Sequence, residues 1–131
     1  MTIDGFLPEA DNGLMQWVKT NAQGFPYWRE RSLFLLPAHY PLLDLLAEKQ
    51  TSSDSDIYLA EIFDMQTAEF LRGLSRYHLV EEMVIYTLPI IAGSGIPVFD
   101  NLTESRWKLH KSKTFSNGIS RIIYRNSRIL Q

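Results

Sequence analysis

The chain has 131 residues, with 15 acidic and 13 basic side chains, three histidines and no cysteine. That length holds one domain and one core, residues 1–131, and the near-neutral charge gives nucleic-acid binding little support. The lack of cysteine excludes disulfides, thiolate metal sites and cysteine nucleophiles; with no secretion signal and no apolar run near the ~20 residues of a membrane helix, a reducing cytoplasm and no membrane partner are expected.

Residues 1–3 are too short to form a strand alone, and Asp4-Gly5 starts a turn. Leu14, Trp17 and Val18 recur at helical spacing and predict a helix over about residues 13–20. Residues 24–26 interrupt, and residues 27–31 form a helical turn with Arg29, Glu30 and Arg31 exposed. Residues 32–36 read as a short buried strand stopped by Pro37. A helix then runs from Pro41 to about Lys49, burying Leu42, Leu43, Leu45 and Leu46. The polar stretch 50–56 is a loop, and residues 57–60 are the next strand. Asp64 is placed to cap a helix over about residues 66–75 that buries Ala68, Leu71 and Leu74, with Gly73 weakening its last turn.

The run 83–91 is almost unbroken in apolar and β-favouring residues, which fits a strand buried on both faces. Glu81 and Glu82 precede it at a solvent-facing end, and Gly93-Ser94-Gly95 turns the chain after it. Residues 106–115 alternate toward a second strand, Asn117-Gly118 signals a type I′ hairpin, and residues 119–124 return. Strand and helix alternation followed by a hairpin implies a mixed α/β sheet.

Residues 79–83 (LVEEM) and 89–99 (PIIAGSGIPVF) are similar to a segment of the reductase domain of riboflavin-pathway deaminase-reductases and their dihydrofolate reductase-like relatives, of the form L-V-D-E-L, apolar strand, P-x-x-x-G-x-G-I-P-L-F. Trp107, Asn117-Gly118 and Tyr124-Arg125 occupy further matching places, and residues 1–6 (MTIDGF) resemble that family's S-x-D-G-F. The resemblance implies a three-layer α-β-α fold of dihydrofolate reductase type, reduced in size, with a mixed sheet and a C-terminal antiparallel hairpin. It also implies NADPH-dependent reduction of a pterin- or pyrimidine-like compound, and a homodimer. The alternative is a non-catalytic descendant serving small-ligand binding or self-association.

The chain departs from the family pattern where the cofactor would bind. Only three residues precede Asp4 in place of a full apolar strand, so the sheet is expected to be a strand short or the native chain to start upstream. Residues 36–41 (LPAHYP) replace G-R-x-T-x-E, and residues 61–64 (EIFD) replace a glycine pair that lets the backbone approach a pyrophosphate. A strand–helix portion on the adenine side is expected to be missing too.

Candidate substrate residues are Asp4 and Gly5, by resemblance, and Trp17 and Trp28, which with Phe25 and Tyr27 form an aromatic cluster able to line a pocket or fill a core. Asp4 either hydrogen-bonds a ring or simply makes a turn. Gly93, Ser94 and Gly95 are either a cofactor-phosphate cradle or a sharp turn. No catalytic acid stands out, and His39, His78 and His110 lack metal-ligand spacing. Arg106, Lys108, Lys111, Lys113, Arg121, Arg125 and Arg128 make the tail basic, which reads as a charged strand face that discourages edge pairing.

Overall fold

A computed structural model describes residues 1–51 and 56–127. Four residues of the 50–56 loop and the tail cation Arg128 lie outside the described residues. The elements in chain order are α1 (Gly13–Thr20), α2 (Phe25–Arg31), β1 (Phe34–Leu35), α3 (Leu42–Thr51), β2 (Tyr58–Leu59), α4 (Met65–Arg76), β3 (Glu82–Thr87), β4 (Trp107–Thr114) and β5 (Ser120–Asn126).

The two best-defined helices start on side-chain caps. The Asn12 carboxamide accepts from the Leu14 and Met15 amides, and α1 buries Met15 and Val18. Asp64 and Thr67 form a reciprocal capping box on α4, which buries Ala68, Leu71 and Leu74 as its spacing requires. Gly73 inside α4 is explained by packing: a Cβ there would lie 2.8 Å from Leu42 Cδ1 of α3. Residues 24–26 do not interrupt but begin α2. Gly24 is its N-cap and Pro26 sits in the first turn, where a missing amide leaves no bond unmade. In α3 only Leu45 is fully buried, and Leu43 is 75% exposed, so the apolar face is narrower than four leucines suggest.

The strands form two sheets. β1 and β2 pair in parallel, with Phe34 opposite Tyr58 and Leu35 opposite Leu59. The other sheet is antiparallel in the order β3-β5-β4. Tyr86, Leu88 and Ile119 pack with α1 and α2 on one side, while Leu36, Tyr58 and Ala60 pack with α3 and α4 on the other. The result is the expected three-layer α-β-α arrangement, with its middle layer divided.

That division corrects several sequence expectations. β3 is not a central strand buried on both faces; it is an edge of its sheet, most of it half-buried, and β5 is the middle strand. An unbroken apolar run reports that helices cover a strand, but says nothing of its lateral neighbours. The 32–36 strand shrinks to two residues, and Phe34 and Leu35 are exposed because they lie on the small outer sheet. The hairpin is not type I′. Asn117 keeps a negative φ, the Gly118 amide bonds Phe115 O, and Gly118 alone is left-handed at φ 90°, which is a type I turn closed by a glycine bulge. β4 is the other edge, exposed along nearly its whole length and irregular between Leu109 and Lys111.

Candidate functional site

The divided layer leaves a cavity of about 820 Å³ between β2 and β3. Tyr58 to Ile62 line one wall and Met83 to Tyr86 the other. Met15, Val18, Phe25 and Trp28 close it from the α1–α2 side, and Leu36, Leu45, Leu71 and Leu74 from the α3–α4 side. Charged pairs stand at its ends: Arg29 with Glu61, Lys49 with Glu81, and Arg125 with Glu82.

Arg29 grips Glu61 with two bonds, Nε to Oε2 at 2.6 Å and Nη2 to Oε1 at 2.7 Å. The Glu61 side chain is only 7% exposed, and its hydrogen bonds keep the Arg29 guanidinium above its usual pKa. Arg29→Ala is expected to cost about 2 kcal/mol in urea unfolding, less than a fully buried pair because Arg29 is half exposed, and Arg29→Lys should recover part of it.

At the aromatic end, Trp28 Nε1 donates to Tyr86 Oη at 2.9 Å, and that hydroxyl donates to Gln23 O at 2.6 Å. Burial pushes the Tyr86 phenol upward. Arg121 lies among the rings of Tyr27, Trp28 and Phe115, and its Nη1 has no acceptor among the described residues.

The Met1 ammonium reaches Tyr86 O at 2.6 Å, and burial lowers its pKa from 8.0 to about 6. The folded state therefore prefers the neutral amine. Stability is complete above pH 8 and falls as pH drops through 6, by about 2 kcal/mol between those values. Urea titrations across that range should show the slope, and N-terminal acetylation should abolish it.

Of the sequence-derived site residues, Trp28 lines the cavity. Trp17 does not: it stacks on Phe115 with centroids 4.9 Å apart. Asp4 and the Gly93-Ser94-Gly95 turn are brought together, but outside the cavity. The Asp4 carboxylate accepts from Thr2 Oγ1 at 2.7 Å, the Ala92 amide at 3.0 Å and the Gly93 amide at 2.8 Å, and these bonds hold it at about pKa 2, Thr2 foremost. The amides that a phosphate would use are thus already bound to a carboxylate. Gly5 takes φ 87° in the same turn, and its carbonyl accepts from Val98. Tyr86 was not singled out from sequence; Glu61 was read only as an acid in place of a phosphate-binding glycine and Arg29 only as an exposed helical residue, and no local pattern marks them as partners.

No protein-family profile matches the chain, and no curated protein does. Among solved structures, a Shewanella sp. PV-4 protein provisionally named for riboflavin biosynthesis aligns over 96% of this chain and 94% of its own, with TM-score 0.65 and 16% identity. The two share one fold. Acinetobacter baumannii RibD, in forms 2 and 1, aligns over 66% of this chain at 21% and 23% identity, with TM-scores 0.46 and 0.45. The chain spans about a quarter of that protein's length, 25% and 24% in the two forms.

On this reductase-like fold, ligands are expected beyond the carboxyl ends of the parallel strands. After β1, Leu36 is buried and Tyr40 donates to Glu48 Oε1 at 2.7 Å, which raises the phenol to about 12. After β2 stands the buried Glu61. The N-terminus of α4, a natural anion site, is filled by Asp64, whose Oδ1 accepts from the Thr67 amide at 2.9 Å. The residues here do not fit the pyrophosphate of a dinucleotide. Among the described residues no cluster is placed to hold a metal ion, and no helix is long and apolar enough to cross a membrane.

Proposed function

We propose that this chain is a non-catalytic descendant of the riboflavin-pathway reductases, a scaffold for binding and assembly in the cytoplasm that does not turn over NADPH. The observation that carries this reading is Asp64 on the α4 N-terminus. A cofactor phosphate brought there would displace a cap and meet its carboxylate, so repulsion replaces the attraction that a helix N-terminus offers. Self-association suits the same reading, because β3 and β4 are the edge strands of their sheet among the described residues.

The rival reading, an NADPH-dependent reductase of a pterin- or pyrimidine-like compound, draws on the preserved 79–99 segment and on Trp28 and Tyr86 beside the cavity. Calorimetric titration with NADPH, and NADH alongside, separates the two. No saturable heat is expected at millimolar cofactor. Micromolar saturation would restore the reductase and overturn the scaffold.

A further inference from the structure

We infer that Arg121 and Lys113 form a binding site for one small oxyanion, a carboxylate or a phosphoryl group, on the face of the antiparallel sheet beside α2. The site lies apart from the cavity, because Arg121, Lys113, Tyr27 and Phe115 are not among the residues that line it. It does not depend on the scaffold reading.

The first observation is the arrangement of charge across the sheet. Residues directly opposite one another in an antiparallel pair point to the same face. Two rows of this face carry a pair of cations each. In one row Lys108 lies opposite Arg125, and Arg125 opposite Glu82. Glu82 answers that row, since its Oε2 accepts from Arg125 Nε at 3.2 Å. In the other row Lys113 lies opposite Arg121, and Arg121 opposite Tyr86. A phenol thus stands where the first row has its carboxylate. Like charges directly opposite destabilise a sheet. Among the described residues neither Lys113 nor Arg121 has a carboxylate within ion-pair distance.

The second observation is the state of the Arg121 guanidinium, a group that stays charged at every working pH. It hydrogen-bonds the Tyr86 hydroxyl. That hydroxyl also accepts from Trp28 Nε1 and donates to Gln23 O, so its bonding capacity is used. The Arg121 Nη1 is enclosed and has no acceptor among the described residues. The Tyr27, Phe115 and Trp28 ring centroids lie 5.6, 5.6 and 5.9 Å from Arg121 Cζ. These distances are near the outer reach of a cation–π contact, about 6 Å. Three weak attractions offset only part of the cost of taking a charge out of water. More positive charge stands close by. Arg31 Cζ lies 3.5 Å from the Tyr27 centroid, and Lys113 Nζ lies 5.3 Å from the Phe115 centroid. Arg31 has only the exposed Glu30 as a partner, at 3.8 Å. Each of those two rings is therefore shared by Arg121 and a more exposed cation. Arg121 is only partly buried, which leaves a way in. An oxyanion held by Lys113 and Arg121 supplies this row with the counter-charge that Glu82 supplies to the other.

The test is a titration of the intact protein with sodium phosphate and with sodium benzoate, against sodium chloride at matched ionic strength. Tryptophan fluorescence and Tm are followed, because Trp28 lies beside Arg121 and reports occupancy. A saturable change at millimolar anion is expected, with Tm raised by about 3–5 °C at roughly ten times Kd. Tighter binding of phosphate assigns a phosphoryl ligand, and tighter binding of benzoate a carboxylate on a flat body. Lys113→Glu places a carboxylate in the row, at an exposed position that does not threaten the fold. It should raise Tm without added anion and weaken anion binding about tenfold or more. Lys108→Glu, in the row that already has Glu82, should leave the affinity within about twofold. The site is overturned if neither anion saturates, if chloride acts as they do, or if Lys113→Glu binds as the parent does. An equal loss from Lys108→Glu would show only a general basic face and overturn it as well.

Discussion

Gly24→Ala is expected to unfold the α1–α2 half of the protein, with a cost of about 4 kcal/mol or more. A Cβ on Gly24 would lie 2.1 Å from Val18 O and 2.8 Å from Val18 C. Both are backbone atoms of a buried helical residue, so no rotamer change relieves the overlap. The close approach exists because α2 must fold back on α1 after four residues: the Gly24 amide bonds Asn21 O, and Gly24 O accepts from Tyr27. That return places Trp28 against Tyr86 and Arg29 against Glu61, so the substitution should also disturb the cavity wall. Gly13→Ala is the matched comparison. Nothing lies within 4 Å of its added Cβ, and the site is helical, so the change should be neutral or slightly stabilising. Thermal unfolding followed by circular dichroism distinguishes them. A Gly24→Ala protein melting as the parent does would show that the α1–α2 return is looser than these distances imply.

What sequence revealed follows from how local each determinant is. α4 was legible because Asp64 and the spacing of Ala68, Leu71 and Leu74 lie within three turns of one another. The β4–β5 hairpin was legible because Asn117-Gly118 sits between alternating runs, although the exact turn depends on which residue takes positive φ. The 79–99 segment pointed to the fold that the Shewanella protein shares. The site was far less legible. Arg29 and Glu61 are 32 residues apart, and nothing in either neighbourhood names the other. Asp4 was visible as an acid in a turn, but its attachment to the Gly93 amide spans 89 positions. The cavity itself was invisible, because apolar residues facing it obey the same periodicity as residues facing a filled core.

The second large effect separates those two environments. Ile119 is fully buried between Leu88 and the α1 helix and does not line the cavity. Ile119→Ala should therefore leave a void that closely packed neighbours cannot fill, at a cost of about 4 kcal/mol. Ile85, in β3, is also an isoleucine, but it is half-buried and faces the cavity. Truncating it removes transfer energy from a side chain that water already reaches, and about 1 kcal/mol is expected. Urea unfolding of the two variants measures both costs. If Ile85→Ala costs as much as Ile119→Ala, the side of Ile85 that faces the cavity is packed as closely as the core around Ile119.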